Sequence, residues 1–510
     1  MEYQIYNETA YNCKENIIVA VANFYKTDYE MMSLDAWNFF YEGKGGTKIG
    51  KKVGNGAFTR YDYLKKYHGI QMKEIYPNNA EEALRIIKEE LNSGNPIATY
   101  IDCYYCPWDF RNYKKRHRDH YCLVKEVFEN KLILVDAILA REGKEICFED
   151  YQKGFNSLIL FEFNKPNELL NPIECLKKAI LKNDNTPKCN FEAMENFIED
   201  FKSIDLNLEV EDNISDPYEA PIFQEIYLIG KRRKQFALVL NYFSRKQEDE
   251  MYSYLANEFN KVGELWNSVY GILTKLYIKQ TEISLLKKAH EKLEDIIKRE
   301  KKIYMDILSV LNNNPIIIDE KRLPKIKDLR NMNLNAIYNN KAFSGKNGKR
   351  LAANFTFDGR YLIHNDKKFL INNCLYINEI DYFNQLDSDF DNIMCNRQEI
   401  TLEKNCSSLI FIGCSVFGSH SERIELKLAN NEIVSKVLEL SNWAEQEPVY
   451  KDNIVWSGRG CISRGDNREI MYPFQFHLFS TQISFGEKCI KSIILPENED
   501  MRIFMILYGN

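Results

Sequence analysis

A change in the period of its apolar residues constrains this chain more than any other feature. From about residue 170 to residue 312, segments such as FEAMENFIEDF, EIYLIGKRRKQFALVLNYF and SLLKKAHEKLEDIIKREKKIYMDILSVL repeat apolar positions at close to the helical spacing of 3.6. Before that stretch, two helical patterns, NIIVAVANFY and NAEEALRIIKEELNSG, precede four short runs rich in β-branched and aromatic residues: PIATYID, HYCLVKEVF, KLILVDA and SLILFEF. After it, short strands such as SSLIFIGCSVFG, FQFHLFSTQISF and DMRIFMILYG are divided by Gly, Asn, Asp and Ser turns. A chain whose period switches twice cannot bury its apolar faces in one layer arrangement. At 510 residues it is also too long for a single core. The expectation is a multidomain α+β protein: an α+β domain over 1–165, a helical domain over 166–312 and an antiparallel β-sandwich over 313–510.

Composition narrows the function classes. A net charge of −6 argues against a nucleic-acid partner, which usually meets a basic face. The longest apolar runs, such as IIVAVANFY, are too short to span a bilayer, and MEYQIYNETAYNCKEN lacks the pattern of a secretory signal. No membrane is therefore expected, and a cytoplasmic location is. Thirteen scattered cysteines suit free thiols in a reducing compartment. Cys103 and Cys106 have CxxC spacing, but no second pair completes a ligand set, so no metal is expected. GGTKIGKK, residues 45–52, lacks the Ser/Thr after the Lys and the preceding strand that a phosphate loop requires.

The chemistry concentrates in three residues. In YNCKENIIVAVANFY, Cys13 stands where a helix should begin, so backbone N–H groups and the helix dipole would favour its thiolate. His120 enters the strand HYCLVKEVF, and Asp136 closes the next strand, KLILVDA. A thiol, an imidazole to activate it and a carboxylate to orient the imidazole are a complete set for covalent catalysis. A hairpin centred near Asn130 places Val124 opposite Asp136, so a bulge, or pairing one strand further, is required to bring His120 level. His117 is the rival base, disfavoured because it lies in the polar loop KKRHRD.

The combination NCKEN before an apolar helix, PIATYIDCYYCPW, DHYCLV and LILVDA resembles the butirosin biosynthesis protein H N-terminal family. That family is similar to the papain-like cysteine peptidases that trim double-glycine leader peptides. The resemblance covers roughly residues 5–165 and implies a papain-like fold with Cys13 as nucleophile, His120 as base and Asp136 as its orienter. It implies an oxyanion-stabilising amide at Asn7, with Gln4 as the other choice. It further implies an amide-forming acyltransferase that takes its acyl group from the phosphopantetheine thioester of an acyl- or peptidyl-carrier protein. The acceptor would be a small amine or diamine. No cofactor of the chain's own is implied, and a homodimer is one of the open oligomeric states. A functional parallel is the amide-forming cysteine-protease homologue of closthioamide-type polythioamide assembly. The alternative is a cysteine peptidase or amidase with the same residues and water as acceptor.

Secondary candidates surround this set. Asp102, at the end of PIATYID, either holds an acceptor ammonium or caps the following turn. Glu15 is a second candidate substrate contact, or a first-turn carboxylate favoured by the helix dipole. YYCPW either lines a substrate channel or packs. KRRKQ, residues 231–235, either steers an acidic carrier protein or is a solvated face. In the last zone, SNWAEQEPVY, IVWSGRG and IKSIILPENEDMRIFMILYG resemble galactose-binding-like sandwiches.

Overall fold

The computed structural model describes residues 1–5, 8–43, 48–56, 59–139, 143–166, 170–182, 188–214, 216–279, 283–312, 326, 329–344, 353–356, 359–364, 369–372, 377–380, 388–402, 406–428, 430, 432–450, 452–463, 469–486 and 490–509. It is a mixed α+β protein that divides into two compact units. One holds residues 1–200, 220–259 and 301–316; the other holds 201–219, 260–300 and 317–510. The helical zone of the sequence is divided between these two units.

In the first unit, helix α1 (Cys13–Tyr25) leads to the short pair β1 (Phe40–Tyr41) and β2 (Val53–Gly54). Then follow α2 (Tyr61–His68), β3 (Ile70–Ile75), α3 (Ala80–Asn92), β4 (Ile97–Asp102), β5 (Asp119–Phe128), β6 (Lys131–Val135), β7 (Gly143–Cys147), α4 (Phe148–Gly154) and β8 (Phe155–Phe163). Six strands form one antiparallel sheet in the order β3-β8-β4-β5-β6-β7. Side chains alternate between its faces. Ala98, Leu123, Val135, Ile159 and Phe161 pack against Ile17, Ile18 and Val21 of α1. Ile97, Ile101, Cys122, Val124 and Leu134 pack against Ala83 and Ile87 of α3 and against Tyr151. Both faces are covered, which is why the central strands read as nearly continuous apolar runs.

Helix α1 starts where its sequence says it should. Asn12 is the N-cap, accepting from the Glu15 backbone N–H at 2.9 Å, and the Glu15 carboxylate returns the bond to the Asn12 N–H at 3.0 Å. This reciprocal box fixes the first turn, and Cys13 is its first helical residue. Four further helices follow along the chain, α5 (Pro172–Ile180), α6 (Phe191–Phe201), α7 (Leu206–Val210) and α8 (Pro221–Gln247), and α8 lies wholly in this unit.

The β5–β6 hairpin resolves the alignment problem. Phe128 pairs with Lys131 across a two-residue turn, and Lys125 bulges out between Val124 and Glu126. Beyond the bulge Leu123 pairs with Val135, so Asp136 continues level with Cys122. His120 lies two residues further along β5, on the same face of the sheet.

The second unit is a β-sandwich. Its seven-stranded antiparallel sheet runs Arg360–Leu362, Asn453–Ser463, Glu469–Ser484, Ser408–Ser415, Met501–Gly509 and Ile393–Met394, with Arg330–Asn331 also pairing on Met501–Gly509. A four-stranded sheet runs Glu399–Thr401, Ile490–Ile494, His420–Leu428 and Ile433–Leu440. Leu409, Phe411, Ile503 and Ile506 of the first meet Ile424, Leu426, Leu438 and Leu440 of the second in one core. Helical residues 260–300 are bonded to the sandwich: Ser419 donates its N–H to Glu264 at 2.6 Å, and Lys292 pairs with Glu422 at 2.9 Å. Among the described residues no helix is long and apolar enough to cross a membrane.

Candidate active site

Cys13, His120 and Asp136 meet at the start of α1 and the end of the β5–β6 hairpin. His120 Nε2 lies 2.7 Å from Asp136 Oδ2, and both side chains are buried. The same oxygen accepts Trp108 Nε1–H at 2.9 Å. Asp136 Oδ1 accepts the N–H groups of Ile138 at 2.9 Å and Leu139 at 2.8 Å. Four donors on one buried carboxylate favour its ionised form. Burial pushes the Asp136 pKa upward, but the His120 charge, these bonds and the Trp108 contact hold it below the usual 3.8. With Nε2 committed to Asp136, the ring presents its other nitrogen to sulfur.

The Cys13 thiol lies beside the His120 side chain, which acts on its ionisation. Burial alone would raise its pKa; the His120 bond and charge, with the backbone N–H groups of Tyr121 and Lys14, bring it below the ordinary 9.0. For His120 burial works against the imidazolium. The adjacent Cys122 sulfur and Asp136 carboxylate, by charge and hydrogen bond, outweigh it and raise the pKa well above 6.5. A thiol lowered by a neighbouring imidazole, and an imidazole raised by the groups behind it, both lean toward their charged forms.

Three other thiols lie close by, and none shares this environment. Cys122 is fully buried and its pKa is pushed up to about 12 by desolvation. The Cys103 thiol is raised first by its bond to Cys106 and then by burial. For Cys106 the Cys103 bond lowers and burial raises, with a net upward shift. His120, Cys122 and Asp136 place one donor atom each within 4.8 Å of the others, as a metal site would. The His120 and Asp136 atoms of this set are already bonded to each other at 2.7 Å. The chemistry of the set favours a proton relay.

The remaining expected residues fare differently. Asn7 lies outside the described residues. Gln4 does not reach the site: its carbonyl accepts from Asn23 at the far end of α1, roughly 15 Å from Cys13 along a helix rising about 1.5 Å per residue. The backbone N–H of Cys13, at the first helical position, has no carbonyl partner along the helix. Asp102 is a cap and not an ammonium seat. Its Oδ1 accepts Tyr104 N–H at 2.9 Å and Arg118 N–H at 3.1 Å, and its Oδ2 lies 2.5 Å from His117 Nδ1. Ile101, not Asp102, pairs with His120, so Asp102 points to the other face of the sheet.

Glu15 is likewise internal. Its buried carboxylate accepts from Asn12 N–H, from Thr59 Oγ1 at 2.8 Å, from Arg232 at 3.2 Å and from Gln235 Nε2 at 3.1 Å, which leaves no oxygen for a substrate. Those two α8 partners correct the reading of KRRKQ as well. Arg233 and Gln235 are buried and Arg232 is paired inward, so this cluster is neither a steering patch nor a solvated face.

Two contributors went unassigned in the sequence. Trp108 neither lines a channel nor merely packs: its indole N–H holds Asp136. Cys122 flanks the imidazole. The only signal for the first was a tryptophan in a short turn, whose N–H requires a partner once buried. For the second, the alternation His120–Cys122 on one strand face was the signal. No protein-family model matches this chain, and no curated protein matches it. Function therefore has to come from the site and not from kinship.

Proposed function

We propose that the first unit is a papain-like cysteine enzyme that transfers an acyl group through a Cys13 thioester. The observation that carries this reading is the placement of Cys13 at a capped helix start beside His120, whose Nε2 lies 2.7 Å from buried Asp136. Cys13 thiolate attacks the carbonyl carbon of an acyl thioester. The carbonyl oxygen takes the negative charge at the Cys13 N–H, and collapse expels the donor thiolate, which takes a proton from the His120 imidazolium. An amine then attacks the acyl-enzyme, neutral His120 accepts its proton, and Cys13 leaves as thiolate with the amide formed.

Two points support transfer over hydrolysis. His120 is only 6% exposed and Asp136 not at all, so the imidazole that would activate a water is itself withdrawn from solvent, while Cys13 is half-buried. The family resemblance of residues 5–165 points to a carrier-borne acyl donor and an amine acceptor. Intact-mass measurement after mixing with an acyl thioester is expected to show one acyl adduct on Cys13, absent in Cys13→Ala, that millimolar amine discharges as amide. Rapid hydrolysis with no amide would move the protein to the peptidase or amidase class. No adduct with any thioester or activated ester would end the cysteine mechanism altogether.

A further inference from the structure

The second unit holds a cavity that acyl transfer at Cys13 does not use. It measures about 290 Å³ and is lined by helical and sandwich residues of that unit alone. Ile278, Phe355, Met394 and Phe417 form its apolar wall. Lys275, Glu499, Asp500 and Arg502 supply its charges. One trapped water takes up roughly 30 Å³, so the space is sized for a small organic molecule.

Arg502 is the unusual wall residue. It stands on the strand Met501–Gly509, opposite Met394 on one side and Cys414 on the other, and is only 5% exposed. Its Nη2 donates to the Phe355 carbonyl at 3.3 Å, while Nε and Nη1 have no hydrogen-bond partner among the described residues. Asp500, two residues earlier, gives its Oδ2 to Lys275 instead. A guanidinium carries five N–H donors, and burying it with so few acceptors costs free energy unless another group supplies them. Burial draws the Arg502 pKa below the ordinary arginine value, and the Asp500 charge opposes that fall. The Phe355 ring lies with its centroid 5.7 Å from the guanidinium carbon.

We propose that this cavity binds a free α-amino acid with an apolar side chain. Its carboxylate meets Arg502, its ammonium lies on the side of Glu499 and Asp500, and its side chain covers the apolar wall. The wall sets two positive charges, Lys275 and Arg502, against two negative ones, so a ligand with one charge of each sign keeps the balance. A plain carboxylate would add a third negative charge. A plain amine would leave Arg502 without an acceptor. Carboxylate on guanidinium is also the stronger, charge-assisted kind of hydrogen bond.

The test is calorimetric titration of the full chain with three probes of one skeleton. These are L-leucine, 4-methylpentanoate, which lacks the ammonium, and 3-methylbutylamine, which lacks the carboxylate. Arg502→Met removes the guanidinium but keeps an apolar side chain in its place. Ile278→Arg, at a helix position that is 51% exposed, obstructs the cavity without entering the sandwich core, and decides the matter alone should Arg502→Met fail to fold. Wild type is expected to bind leucine saturably, and each truncated probe at least about tenfold more weakly. Both variants are expected to lose at least about tenfold in leucine affinity, with Ile278→Arg melting as wild type does. No saturable leucine binding by wild type at millimolar concentration would overturn the proposal. So would a truncated probe that binds as tightly as leucine, or a folded variant of either kind whose leucine affinity is unchanged.

Discussion

At the scale of single residues, the proposed mechanism depends on which of several neighbouring sulfurs is ionised. Cys13 is held below the ordinary thiol pKa of 9.0 by His120 and by two backbone N–H groups, while burial keeps Cys122 near 12. Alkylation by iodoacetamide is therefore expected to show a fast phase whose inflection lies below 9.0 and which Cys13→Ala removes. Cys147→Ala, at an exposed thiol, should leave that phase in place. His120→Ala is expected to slow acylation by about 100- to 10,000-fold, the range of a lost general base, and to move the inflection upward. Asp136→Asn should cost less, because the amide still orients the ring but cannot stabilise the imidazolium. Trp108→Phe removes one N–H donor from the carboxylate, and a bond to a charged group worth about 1.5 kcal/mol corresponds to roughly tenfold in rate. His117→Ala, at an exposed ring tied to Asp102, should leave acylation by a small thioester near wild type. Essential His117 with dispensable His120 would reverse the assignment. The same shifts set a stability window. His120 is raised above 6.5, so its contribution is complete below that pH and fades as pH climbs through its folded value. Asp136 is lowered from 3.8, so its contribution is complete above that pH and fades in acid. Denaturant unfolding should show the largest deficit of His120→Ala between 3.8 and 6.5, where both contributions are present.

At the scale of elements, two devices bring the relay together. The first is the brace of α1. Glu15 satisfies the capping box and also receives Arg232 and Gln235 from α8, more than two hundred residues later. Glu15→Ala strands a guanidinium that is only 15% exposed, and breaking such a pair costs about 3 kcal/mol or more. A drop in melting temperature of roughly 6–12 °C is expected for a unit of this size. A shift under about 2 °C would show that α8 does not hold the helix start. The second device is the bulge at Lys125. A two-residue turn without it would set Asp136 opposite Leu123, on the sheet face away from His120. One extra residue restores the parity. This is why the alignment of His120 with Asp136 was not legible from hairpin symmetry: the pleat and the turn are local, but a bulge is selected by how both sheet faces pack.

At the scale of the whole molecule, the helical zone is shared between the two units. Residues 260–300 pack with the sandwich, where Trp266, Leu273 and Leu293 are buried and Lys292 pairs with Glu422. A fragment ending at residue 312, the boundary suggested by the change in period, is expected to lose these partners and bind a hydrophobic dye or aggregate. A monomeric, cooperatively melting 1–312 fragment would show that the helical zone stands without the sandwich. By itself, the sequence determined the three kinds of secondary structure, because period and turn chemistry are local. It also singled out Cys13, His120 and Asp136 as candidates, because a capped helix start and strand ends constrain where they stand. Only the tertiary structure decided that α8 braces the active-site helix, that Asp102 and Glu15 are consumed as caps, and that Trp108 completes the carboxylate's bonds. Each of these depends on which distant group fills a hydrogen-bonding vacancy, and periodicity carries no record of such partners.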